Sequence, residues 1–78
     1  MNAFNANVVI HIDESLSSHE IEDLERNVSF DRGVKSACVH ERTPHLMVVD
    51  YDPRETHSKE LLNRVRNRGV HAELIGGI

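Results

Sequence analysis

A chain of 78 residues with a formal charge of −4 is sized for one small domain, and its acidic balance excludes the basic face that a nucleic-acid binder needs. One cysteine excludes an intramolecular disulfide, and no apolar run approaches the ~20 residues of a membrane span. With 38% hydrophobic residues the chain can fold; a reducing cytoplasm is the expected compartment, and neither nucleic acid nor membrane is an expected partner.

Residues 1–7, with three Asn and few apolar groups, read as a short flexible arm. Residues 8–12 are β-branched apart from His11 and predict a strand, with Val8, Ile10 and Ile12 directed to the core and Val9 and His11 to the other face. Ser17 is followed three residues later by Glu20, just ahead of Ile21, Leu24 and Val28 at helical spacing. That is the pattern of a capping box, in which the serine oxygen accepts from a first-turn amide and the glutamate reaches back to the serine amide. The helix is predicted to run to about Ser29, with Glu20, Glu22, Asp23 and Glu25 in its early turns, where they complement the helix dipole.

Asp31-Arg32-Gly33 breaks the helix, and residues 34–40 alternate as a second strand, Ala37 and Val39 on one face and Ser36, Cys38 and His40 on the other. After the turn at residues 41–44, residues 45–51 are apolar on both faces, which suggests a central strand. Either Thr56 or Ser58 can cap a second helix carrying Leu61, Leu62 and Val65. Val70, Ala72 and Leu74 then alternate with His71, Glu73 and Ile75 in a fourth strand, before a tail at residues 76–78. Strand, helix, strand, strand, helix, strand, with right-handed crossovers, predicts an α+β fold: a ferredoxin-like four-stranded antiparallel sheet with both helices on one face, in a single domain over residues 8–75.

Gly33-Val34-Lys35-Ser36-Ala37-Cys38-Val39, Tyr51-Asp52-Pro53, Leu61-Leu62 with Val65, and Gly69-Val70-His71-Ala72-Glu73-Leu74 together resemble the heavy-metal-associated domain of copper chaperones and of the N-terminal regions of metal-pumping P-type ATPases. The likeness spans residues 8–75. In that family the first loop carries Met-x-Cys-x-x-Cys, whose thiolates hold Cu(I) or another soft ion. The resemblance places the methionine position on Ser15 and the cysteine positions on Ser17 and Glu20, with His19 between them. Serine and glutamate oxygens are poor partners for a soft cation. The fold is therefore expected to carry over and Cu(I) carriage at this loop is not, so the metal motif is degenerate.

Six histidines keep metal binding open elsewhere. The uncovered face of the sheet should present Val9, His11, Cys38, His40, Leu46, Val48, His71, Glu73 and Ile75. With spatial strand order fourth, first, third, second, His11 falls near His71 or Glu73, and His11, His71 and Glu73 form a candidate site for Zn, Ni or Cu(II). Cys38 and His40 supply two ligands at most; His19, His45 and His57 read as surface side chains. The alternative use of the same face is as an interface for a homodimer or a protein partner, through the apolar stripe Val9, Leu46, Val48 and Ile75. Nothing stands out as a catalytic triad or a phosphate loop, so an enzyme is not expected. Nor are Phe4, Phe30 and Tyr51 placed on the open face in the manner of RNA-binding domains with this topology.

Overall fold

Extended backbone sends alternate side chains to opposite faces, and the first strand uses that alternation to build one wall of the core. In the structure, a computed structural model that describes residues 4–77, β1 (Ala6–Ile12) buries Val8, Ile10 and Ile12 and leaves Val9 and His11 partly exposed. It starts two residues earlier than the apolar run suggests, because Ala6 and Asn7 pair with Tyr51 and Asp50. Residues 1–3 of the expected arm, and Ile78, lie outside the described residues.

Helix α1 (Ser18–Ser29) follows, then β2 (Val34–Val39), β3 (Leu46–Tyr51), α2 (Ser58–Arg66) and β4 (Ala72–Gly77). The sheet order is β2-β3-β1-β4, antiparallel throughout. This is the ferredoxin-like βαββαβ arrangement, with β3 in the centre as its two-sided apolarity predicts and β1 beside it as that strand order requires. Against its inner face pack Leu24 and Val28 of α1 and Leu61, Leu62 and Val65 of α2, meeting Met47, Val49 and Tyr51 of β3.

Two local expectations change. Neither Thr56 nor Ser58 caps α2: the N-cap is His57, whose side chain makes no capping bond. Thr56 is instead 1% exposed, its hydroxyl lying 3.2 Å from Asp31 Oδ2 and 3.4 Å from Glu60 Oε2; packing against the loop after α1 claims the group that local sequence offers as a cap. In β4 the alternation fails beyond Glu73. The register with β1 shifts between Val9 and Ile10, so Val9 faces Gly76 and Ile10 faces Leu74. Leu74 is 39% exposed and Ile75 53% exposed, and the strand continues through Gly77 into the expected tail. Among the described residues no helix is long and apolar enough to cross a membrane.

Candidate metal centre

The capping box at the start of α1 is formed as its spacing predicts. Ser17 Oγ accepts from the Glu20 amide at 3.2 Å, and Glu20 Oε1 accepts from the Ser17 amide at 2.8 Å. Both side chains are thus spent on satisfying backbone donors that a helix end leaves free. Their hard oxygens, already engaged, do not fit a soft monovalent ion. His19 is exposed on the same turn.

A different group of ligand-type side chains meets at the end of β1. His11 and Asp13 sit two residues apart on extended backbone and so share a side, while antiparallel pairing sets Glu73 opposite His11. Directly opposed residues bring their Cβ atoms to within about 5 Å. As a result one ligand atom each from His11, Asp13 and Glu73 lies within 4.8 Å of the others. Tetrahedral Zn(II) would hold such atoms roughly 3.4 Å apart, so binding needs a contraction that the exposed Asp13 and Glu73 side chains are free to make. His11 Nδ1 donates to Asp13 Oδ1 at 3.1 Å, which leaves Nε2 of the neutral ring with its lone pair open. Asp13 and Glu73 also border a shallow depression of about 550 Å³.

His71, expected in this group, is engaged elsewhere. Its amide donates to Glu14 Oε1 at 2.9 Å and its ring Nδ1 to Glu14 Oε2 at 2.6 Å, while its carbonyl accepts from the Asp13 amide at 2.9 Å. The ring's hydrogen bond holds the Glu14 carboxyl below its ordinary range, and the same bond raises His71. This clasp ties the β1–α1 loop to the start of β4 and so helps to fix where Asp13 stands.

Two side chains at this end of β1 are not singled out by the sequence. Asp13 reads as a strand terminator, although its parity with His11 was available. His45 reads as a surface residue beside a turn. It is in fact partly buried: Nδ1 donates to the Ile12 carbonyl at 2.7 Å, and the ring stacks on His11 with centroids 6.0 Å apart and planes 18° from parallel. Only the β1–β3 register could have revealed that. Cys38 and His40 are exposed on the far side of β3. On the open face Val9 pairs with Val48, which is 42% exposed, and Leu46 pairs with His11.

No protein-family model matches the sequence, and no curated protein matches it. Solved structures do. The copper-binding domain from HMA7, a P-type ATPase, superposes with a TM-score of 0.84 at 15% identity, over 92% of this chain and 96% of that one. Oxidized MerP from Ralstonia metallidurans CH34 gives 0.82 at 18% identity, over 92% and 99%. The N-terminal domain of a potential copper-translocating P-type ATPase from Bacillus subtilis, in its Cu(I)-loaded state, gives 0.84 at 20% identity, over 95% and 91%. Near-complete coverage of both chains, on the same topology that the sequence pattern predicts, means that this chain has the ferredoxin-like fold of heavy-metal-associated domains.

Proposed function

We infer that this protein is a metal-handling domain of the heavy-metal-associated type that does not carry Cu(I) in its first loop and instead binds a borderline divalent ion, weakly, at the end of β1. The observation that carries this reading is the approach of His11, Asp13 and Glu73 to within 4.8 Å. One imidazole and two carboxylates suit Zn(II), Ni(II) or Cu(II) better than a soft monovalent ion. Support for the negative half comes from Ser17 and Glu20, whose oxygens are committed to the helix end. The fold shared with copper-binding domains supports the general class of task.

Calorimetric titration with Zn(II), Ni(II) and Cu(II), beside Cu(I) under reducing conditions, tests it. Saturable divalent binding tighter than about 1 mM, lost in His11→Ala, is the expected result. Absence of divalent binding, or tight Cu(I) binding that survives Cys38→Ser, defeats it.

A second reading gives the open face to a protein partner without metal, and the exposure of Val48 at 42% and Ile75 at 53% favours it. Sedimentation velocity at high concentration checks its homodimer form: a strict monomer removes that form.

A further inference from the structure

The divalent-ion reading leaves its ion with three ligands, all of them substantially open to water. The neighbouring His45 gives its ring N–H to the main chain. Its Nδ1 sits 2.7 Å from the carbonyl of Ile12. A carbonyl only accepts, so the proton resides on Nδ1 and the neutral ring has its lone pair on Nε2. A histidine that gives one ring N–H to a backbone carbonyl and presents the other nitrogen bare has the arrangement that metal-ligating histidines use to set tautomer and ring orientation. The main chain reinforces this placement, since the Ile12 amide donates to the His45 carbonyl at 2.7 Å. Residue 45 is thereby clamped to β1 one position beyond His11.

We propose that His45 supplies a fourth ligand through Nε2, completing with His11, Asp13 and Glu73 a two-histidine, two-carboxylate site for Zn(II); this rests on the reading of the previous section. Two imidazoles on one tetrahedral zinc have ring centroids about 5 Å apart with the ion in the plane of each ring. The His11 and His45 rings stand 6.0 Å apart and 18° from parallel, and His45 stands outside the group that lies within 4.8 Å, so the His11 ring must turn out of the stack and the carboxylates must close up for one ion to meet all four. Turning the His11 ring onto a shared ion costs one exposed contact, the 3.1 Å bond to Asp13. Asp13 is itself a ligand in the bound state, so its carboxylate is not left without a partner. His45 keeps its bond to Ile12 throughout; what separates it from His71 is place, since His71 is clasped to Glu14 while the His45 ring stands against that of His11.

The test is Zn(II) titration of the whole chain by calorimetry, with the histidine ring nitrogens followed by long-range proton–nitrogen NMR. In the wild type, zinc should move the Nε2 resonance of His45 along with a nitrogen of His11, and leave the Nδ1–H of His45 in place. His45→Ala should weaken zinc binding by at least ~10-fold. Since that variant also loses a bond to Ile12, His45→Phe, which retains a ring against His11, should weaken it equally, and the wild-type spectrum decides the matter without any substitution. If zinc binds and His11 shifts while His45 Nε2 does not, and both variants bind as the wild type does, the fourth ligand is refuted and the three-ligand site stands. If zinc does not bind the wild type at all, the three-ligand reading falls and this proposal with it.

Discussion

Gly33 has no room for a side chain. A Cβ placed there would lie 2.7 Å from Thr56 Cγ2 and 2.8 Å from Glu55 Cβ, because the amide of Asp52 reaches the Gly33 carbonyl at 2.7 Å and draws the loop after β3 tight against it. Thr56 is buried and held through Asp31, so it cannot retreat. Gly33→Ala should therefore destabilise the fold by about 1–3 kcal/mol, the usual range for overpacking, as read from urea denaturation midpoints. Asp52 gives a second residue-level expectation. Arg54 grips its carboxylate with two side-chain bonds, of 3.1 and 2.8 Å, and a backbone bond of 2.9 Å, and holds its pKa down to about 2 from an ordinary 3.8. A depressed carboxylate contributes stability above its unfolded pKa and loses that contribution as pH falls through the folded one. The stability difference between wild type and Asp52→Asn should accordingly be constant above pH 3.8 and shrink toward pH 2; denaturation curves across that window check it, and a difference that does not vary with pH contradicts it. Neither effect was legible beforehand. What crowds Gly33 comes from Glu55 and Thr56, more than 20 positions along the chain, whereas Asp52 is gripped by Arg54 only two positions on, through a turn geometry that spacing alone does not announce.

The elements carry their own chemistry, and α1 most clearly. Its capping box is fully local, with partners three residues apart, which is why Ser17 and Glu20 could be read as a helix start from spacing alone. Ser17→Ala should cost about 1 kcal/mol, measurable by thermal or urea unfolding. The double change Ser17→Cys with Glu20→Cys removes the same cap and restores soft sulfur at the two positions where the family resemblance expects thiolates. It should destabilise the apo form by a similar amount and gain Cu(I) binding in a bicinchoninate competition assay; a variant that remains indifferent to Cu(I) would mean that more than the ligand atoms separates this loop from a carrier's. Helix α2 shows the opposite case. Thr56 has the type and the position of a cap, yet it is buried against the loop that follows α1, at Asp31 and Gly33, and His57 takes the N-cap without a side-chain bond. Tertiary packing outweighed a local preference worth about 1 kcal/mol. The far end of β4 behaves likewise: its shift against β1 is a property of two paired strands and leaves no trace in the alternation of one.

At the scale of the molecule, the candidate centre joins β1 to β4, and His45, the proposed fourth ligand, stands just before β3. An ion held there is bound by the folded state and by no contiguous segment, so zinc should raise the unfolding temperature in a concentration-dependent way, reaching about 2.7 kcal/mol of added stability at one hundred times the dissociation constant. Differential scanning calorimetry with and without zinc measures this. A midpoint insensitive to zinc in the presence of calorimetrically proven binding would place the ion on unfolded or terminal chain instead. The sequence by itself determined the βαββαβ order, the buried sets Val8, Ile10, Ile12 and Met47, Val49, Tyr51, the cap on α1 and the absence of thiolates from its loop, since each depends on periodicity or on neighbours within a few positions. Tertiary structure alone decided which acids and imidazoles come close to one another. His11 meets Glu73 because two strands 62 positions apart pair in one register, His71 is drawn off by Glu14, and His45 turns toward His11 through a bond to the carbonyl of Ile12. Side chains converge across strands only after backbone hydrogen bonding has chosen the register, and a one-residue change in it sends every side chain of a strand to the opposite face.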